Sequence, residues 1–196
     1  PSDGFSLLQK GAKFRLVDTT FIYDAGVTYR CIIAETIDRD AENHTVMETV
    51  EYQLVVADRW PGFSQHFQFS EYDGGYNKMK SVGTIGAPTG TYVFLKSDPS
   101  CVVLEAVLFE RHDNVTSPDT HQPEQRDGGD GKLTREEKNC MLWVSALETD
   151  APSDDCRQEF RRLCSCQVAR HSFGRTLCDN PSAGSISQGP TGTTQN

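Results

Sequence analysis

The stretch NCMLWVSALETDAPSDDC, Asn139–Cys156, joins a short apolar run to a sequence that begins a helix, with cysteines on both sides. The apolar run contains Trp143 and has the length of one buried strand. Pro152 and Ser153 follow, and Ser153 is placed to cap a helix whose first turn holds two aspartates that complement the helix dipole. This stretch therefore predicts a strand followed by a C-terminal helix.

The predicted helix has an apolar face at helical spacing. The residues of that face are Cys156, Phe160, Leu163, Cys164 and Gln167. Arg157, Arg161 and Arg162 are expected to point outward. Residues 179–196 carry one charge and little apolar character, so we expect a domain over 1–178 and a disordered tail over 179–196.

Before the helix, apolar and polar residues alternate with period two from Lys13 to Leu147, which indicates an all-β chain. The candidate strands are 13–23, 27–35, 46–57, 63–69, 76–82, 91–97, 101–110 and 140–147. Eight sequential strands with mostly short joins favour a closed antiparallel up-and-down barrel, which can hold one small ligand. A β-sandwich is the alternative arrangement.

One join, Arg111–Asn139, is long and polar, and loops of this length are usually functional or disordered. Its segment DGKLTREE resembles the second half of a calcium-binding loop, with Gly131 at the turn and Glu137 at the closing position. Arg126 and Gly128 would then stand where oxygen ligands are required. We interpret the join as a solvated loop without a metal.

The composition excludes some partners and indicates a compartment. The 196 residues contain 19 Lys and Arg against 28 Asp and Glu, a net charge of −9 that disfavours nucleic acid. No apolar run is long enough to span a membrane. The start at Pro1, the seven cysteines and the sequons at Asn43 and Asn114 predict a mature, secreted glycoprotein whose disulfides form in an oxidising compartment. We expect a monomer.

A catalytic site cannot be assembled from the motifs present, so we predict a protein that is not an enzyme and has no cofactor. The five histidines lie outside any nucleophile elbow, metal-binding helix pair or phosphate loop motif. Cys156, Cys164, Cys166 and His171 form a conceivable zinc grouping, but Cys164 and Cys166 would point about 200° apart on a helix. Disulfide bonding is the preferred interpretation.

Three segments in order, SCVVLEA at 100–106, CMLWV at 140–144 and PSDDCRQEFRRLC at 152–164, resemble the tick salivary lipocalins, the family of the histamine-binding proteins. TYRC and TLC bracket them, and the pattern covers most of the chain. The resemblance implies an eight-stranded lipocalin barrel with a C-terminal helix packed on its wall. It also implies the disulfides Cys31–Cys178 and Cys101–Cys156, with Cys140 bonded to Cys164 or Cys166.

Family members that bind amines carry two inward acids, at positions where this chain has Val102 and Met141. If Cys101 faces the helix, alternation turns Val102, Leu104, Ala106 and Leu108 inward, and Met141, Trp143 and Ser145 with them. Such a wall favours an acyl chain or sterol over an unpaired ammonium. The predicted ligand-binding residues are Trp143, Met141, Val102, Leu104, Phe67, Phe69, Tyr76, Tyr92 and Phe94, with Tyr29 and Tyr52 less central.

Charged groups elsewhere leave the ligand class open. A cation site could use Glu35, Glu48, Glu51 or Glu105, and a lipid carboxylate could use His66, Arg59 or Lys78. The resemblance implies a secreted salivary lipocalin that sequesters a host inflammatory mediator and suppresses defence at the bite. The candidate mediators are a leukotriene, a fatty acid, cholesterol, histamine and serotonin. The alternative is an immunomodulatory lipocalin whose loops bind a host complement or immune-cell component.

Overall fold

The computed structural model describes residues 2–21, 29–54, 60–83, 87–110, 138–146, 151–164 and 171–172. Its elements are α1 (Gly4–Leu7), β1 (Lys13–Thr19), β2 (Tyr29–Asp40), β3 (Thr45–Leu54), β4 (Gly62–Tyr72), β5 (Gly75–Val82), β6 (Thr89–Asp98), β7 (Cys101–Glu110), β8 (Cys140–Ser145), α2 (Asp154–Leu163) and β9 (His171–Ser172). All eight predicted strands are present in the predicted order. The helix α1 and the short strand β9 were not predicted.

The strands form one antiparallel sheet that closes on itself. Each of β2 to β8 pairs with the next strand in the chain, and β1 pairs with both β8 and β2. The short strand β9 adds to β1 opposite Asp18 and Thr19. The predicted up-and-down barrel with a C-terminal helix is therefore confirmed and the sandwich alternative is wrong, which gives the chain the architecture of the lipocalin fold.

The helix α1 covers one end of the barrel. Asp3 caps it, and its carboxylate also accepts a hydrogen bond from the backbone N–H of Tyr76 at 3.0 Å. The backbone N–H of Gly4 donates to Asn77 Oδ1 at 2.9 Å. Phe5 is buried in the apolar cluster inside the barrel. Since both hydrogen bonds reach β5, they fix α1 across this end, and Phe5 closes it from within.

The helix α2 packs on the outer wall. Ser153 caps it as predicted, its hydroxyl accepting from the N–H of Cys156 at 3.2 Å. Cys156, Phe160 and Cys164 are buried on its inner face, whereas Gln167 lies outside the described residues. These three buried residues form an apolar cluster with outward-facing residues of the barrel, namely Val17, Cys101, Val103, Cys140, Leu142 and Val144.

Two disulfides join the barrel wall to α2 and to the residue that follows it. Cys101 is bonded to Cys156, with Cα atoms 5.6 Å apart, as the resemblance implied. Cys140 is bonded to Cys164, with Cα atoms 6.1 Å apart, which selects one of the two expected alternatives. Cys31 is also disulfide-bonded, and its partner lies outside the described residues, as do Cys166 and Cys178.

The side chain of Arg157 is 38% exposed, in keeping with its predicted outward position, but it also forms an ion pair with the barrel that was not predicted. Its Nη1 donates to Asp18 Oδ2 at 2.6 Å, and the Asp18 side chain is only 3% exposed. A buried carboxylate on the outer wall needs a partner to offset its lost hydration, and α2 supplies it. Arg161 and Arg162 are exposed as predicted, and Arg162 pairs with Glu159 on the same helix.

Several other predictions concern positions on the surface or beyond the described residues. Asn43 is exposed in the hairpin between β2 and β3, where a glycan would meet solvent. Asn114, with the join 111–137 and the tail 179–196, lies outside the described residues. Neither α1 nor α2 has the length and apolar character needed to cross a bilayer.

Candidate functional site

The candidate site is the interior of the barrel, and strand alternation places the two key segments as predicted. Val102 and Leu104 are buried in the interior cluster, and Met141 and Trp143 pack against it. The register pairs Val102 with Trp143 and Leu104 with Met141. The residues between them face the outer cluster under α2. The two strands therefore present one continuous apolar patch to the interior.

On β8 the inner face is more accessible than the outer face. Leu142 and Val144, which point out toward α2, are 0% exposed. Met141 and Trp143, which point into the barrel, remain partly exposed. In a barrel filled by its own side chains, the inward residues would be the more buried set. Met141 and Trp143 are therefore less tightly packed than the outward residues of the same strand.

Trp143 also carries an unused donor. Its indole Nε1 is buried and has no hydrogen-bond partner within the described residues. Buried indole N–H groups normally find an acceptor, because leaving one unpaired costs about 1–3 kcal/mol. The Trp143 indole N–H is therefore an unpaired donor buried in the wall of the barrel.

Some predicted residues pack the closed end and others lie along the wall. Phe69 stands edge-on to Phe5 with ring centroids 5.2 Å apart, and Phe94 lies 5.8 Å from Phe69. Tyr76 stacks on His44 at 3.8 Å. Phe69, Phe94 and Tyr76 thus belong to a floor of aromatic rings.

Phe67 and Tyr92 face each other edge-on at 6.0 Å. All nine predicted residues belong to the interior cluster or pack against it. The cluster also contains residues that sequence reasoning did not single out, namely Phe5, Leu7, Leu8, Phe14, Val46 and Met79. Phe14, Val46 and Met79 lie on strands, and extending the alternation of inward and outward residues to those strands would have identified them.

The alternation fails near one end of β7. Thr91 pairs with Leu108 while Tyr92 pairs with Ala106, so Val107 is an extra residue and forms a bulge. Leu108 is 52% exposed and Ala106 is half-buried. The prediction that Leu108 faces the barrel interior is therefore wrong, because the bulge shifts the register.

One of the four candidate acids enters the interior. Glu48 is 6% exposed, lies two residues from the inward Val46, and stands between the buried Thr36 on β2 and Gln65 on β4. The Thr36 hydroxyl donates to Glu48 Oε1 at 2.5 Å. Burial raises the pKa of Glu48 to about 7. The hydrogen bond from Thr36 lowers this pKa, and the nearby charge of Glu35 raises it further.

The other three acids are not part of the apolar cluster inside the barrel. Glu35 pairs with Lys13 at 3.3 Å, and Glu105 lies 3.9 Å from Lys138. Glu51 is exposed. All four are strand residues in the sequence, and no local signal separates Glu48 from them.

Of the candidate cations for a lipid carboxylate, the two that the structure describes, His66 and Lys78, do not point into the interior. His66 is exposed, and Lys78 alternates with the inward Met79. Arg59 and the side chain of Tyr29 lie outside the described residues, and Tyr52 is half-buried. A guanidinium that sequence reasoning missed lies at the floor, where Arg39 Cζ is 3.9 Å from the centroid of the Phe5 ring.

Comparisons with known proteins add little to this geometry. No protein-family model and no curated protein match the sequence. Among solved structures, a similar chain is the siderocalin Ex-FABP, described as functioning through dual ligand specificities. The match has 15% identity and a TM-score of 0.44, and it covers 79% of this chain and 84% of that chain. This likeness is too low to transfer a ligand or a binding residue.

Proposed function

We propose that the protein is a non-enzymatic container that binds one small, mainly apolar molecule inside its barrel. The observation that carries the proposal is the burial pattern of β8. Its inward residues Met141 and Trp143 are partly exposed, whereas its outward residues are completely buried. Tightly packed interiors leave no such inward exposure. A cavity that admits solvent and is lined by apolar side chains favours an apolar occupant.

Burial of the apolar surface of a ligand contributes to its capture, against the entropy cost of association. Transfer of apolar surface from water gains about 25 cal/mol per Å², so a ligand that buries about 200 Å² gains about 5 kcal/mol. Met141 and Trp143 are the partly exposed apolar side chains of the inner wall that such a ligand would contact first. The Trp143 indole N–H and the Glu48 carboxyl provide polar contacts that orient the ligand.

Ligand entry is proposed at the end of the barrel opposite α1. Asp3 and Phe5 hold α1 across the closed end. Val82 and Leu108 lie near the other end and are exposed. Entry there lets the floor stay packed while the ligand enters.

The biological role is proposed from the cysteines and the sequence resemblance together. Two disulfides suit an oxidising, extracellular compartment, and Asn43 is exposed where a glycan would be tolerated. We propose a secreted monomer that captures a host inflammatory mediator stoichiometrically and suppresses defence at a bite. The candidate mediators are a leukotriene, a fatty acid, cholesterol, histamine and serotonin.

Equilibrium titration with the neutral apolar dye N-phenyl-1-naphthylamine tests the container directly. We expect saturable binding of one dye per chain. Leu104→Trp fills the interior and should weaken dye binding at least about tenfold, a loss of about 1.4 kcal/mol. Leu108→Trp, the same change on the same strand at an exposed position, should leave binding unchanged.

Absence of saturable dye binding by the wild type would overturn the proposal, and so would equal binding by the wild type and Leu104→Trp. In that case the alternative role, binding of a host protein through the loops, becomes the working hypothesis. Thermal unfolding of both variants shows whether each is folded.

A further inference from the structure

The interior of the barrel contains one feature that an apolar container does not need. Glu48 lies on β3 within a wall whose neighbours, Val46 and Phe67, belong to the apolar cluster. It is more than nine-tenths buried. A carboxyl group in such a position costs several kcal/mol unless its oxygens are satisfied.

Only one oxygen of this carboxyl is satisfied within the described residues. The Thr36 hydroxyl donates to Oε1, and no described hydrogen bond or ion pair involves Oε2. Gln65, the facing residue on β4, is already engaged at both ends of its amide. Its Nε2 donates to the carbonyl of Pro88 at 3.1 Å, and its Oε1 accepts from the N–H of His66 at 3.0 Å.

The charges nearest to Glu48 do not satisfy it. Glu35 is another acid and pairs with Lys13. Arg39, further along β2, stacks on Phe5 at the floor. Glu48 Oε2 therefore remains an acceptor without a donor in the described part of the chain.

We propose that Glu48, oriented by Thr36, is the head-group site of the cavity and selects apolar ligands whose polar end donates hydrogen bonds, an amine or an alcohol, over those ending in a carboxylate. The inference rests on the proposed container function. An ammonium or hydroxyl donates to Oε2 and completes its hydrogen bonding. A carboxylate placed there meets a second acid with no cation beside it.

Three ligands with the same ten-carbon chain, decylamine, decanol and decanoate, test the selection by displacing N-phenyl-1-naphthylamine from the barrel above neutral pH. We expect the wild type to bind decylamine at least about tenfold more tightly than decanoate, with decanol between them. Glu48→Gln should remove most of the difference in affinity between the amine and the acid.

Glu51→Gln is the matched control, because it removes the same charge from an exposed position on the same strand. It should keep the wild-type preference, which separates a local contact from the general attraction of an acidic protein for cations. Equal affinity of the wild type for decylamine and decanoate, or an unchanged preference in Glu48→Gln, would overturn the head-group site while leaving the container intact. Failure of the dye itself to bind would instead overturn the container.

Discussion

The buried carboxyl of Glu48 predicts a specific dependence of stability on pH. Burial raises its pKa from 4.5 in the unfolded chain to about 7 in the folded protein. Below the lower value both states are protonated, and Glu48 contributes no pH dependence. Between the two values the unfolded chain releases the proton while the folded protein keeps it, so folding loses about 1.4 kcal/mol per pH unit.

The size of the effect follows from the two pKa values. A rise from 4.5 to about 7 corresponds to roughly 3 kcal/mol of destabilisation, complete above the folded pKa and constant from there. Glu48→Gln keeps an oxygen that accepts from Thr36 but cannot ionise. Relative to the wild type, the variant should therefore gain roughly 3 kcal/mol of stability as pH rises through this window.

Urea unfolding without reductant, followed by circular dichroism at several pH values on both sides of the window, measures this difference. The m-value should be unchanged, because the two proteins expose the same surface on unfolding. Glu51→Gln, at an exposed position, should show no comparable change. A difference between wild type and Glu48→Gln that is the same at every pH would show that Glu48 does not titrate as a buried group.

Three further changes test how the barrel is closed and covered. Arg157→Met leaves the buried Asp18 without its cation and should cost about 3 kcal/mol in urea unfolding. Replacing both cysteines of the Cys101–Cys156 disulfide by alanine opens a loop of sequence separation 55 and should cost about 4 kcal/mol in the same assay. Gly4→Val places a Cβ 2.5 Å from an aromatic ring at the floor and should cost about 1–3 kcal/mol, with faster hydrogen exchange in α1.

A control substitution and the outcomes that would contradict each prediction separate these effects from a nonspecific loss of stability. Arg162→Met breaks an exposed pair on the same helix and should cost less than about 1 kcal/mol. A similar loss for Arg157→Met and Arg162→Met would contradict the buried ion pair. Retention of full stability without the disulfide would contradict its constraint on the unfolded chain, and unchanged exchange in α1 after Gly4→Val would contradict its close packing.

The strand pattern was predictable because alternation is local. Both faces of β7 and β8 are largely apolar, so alternation alone did not tell the inner face from the outer one. The resemblance, which implied that Cys101 faces the helix, placed Val102, Leu104, Met141 and Trp143 inside. Ser153 and the two aspartates after it marked the start of α2, since capping involves residues within one turn. The bulge at Val107 was not predictable, because a one-residue shift depends on the partner strand.

The short helix α1 left no periodic signal, because four residues make hardly more than one turn. It is held by contacts of Asp3 and Gly4 with β5, more than seventy residues away in the chain. The interaction of Arg157 with Asp18 likewise joins residues 139 positions apart. Such partners are chosen when the elements pack, and no local pattern encodes them.

By itself, the amino-acid sequence determined an all-β chain of eight strands and the C-terminal helix, because each depends on spacing along the chain. Only the tertiary structure decided that Cys140 bonds to Cys164 and that Glu48, rather than Glu51, enters the apolar interior. Both glutamates lie on β3, three residues apart and therefore on opposite faces. Which face becomes the inside is set by closure of the sheet, when β1 pairs with both of its neighbours.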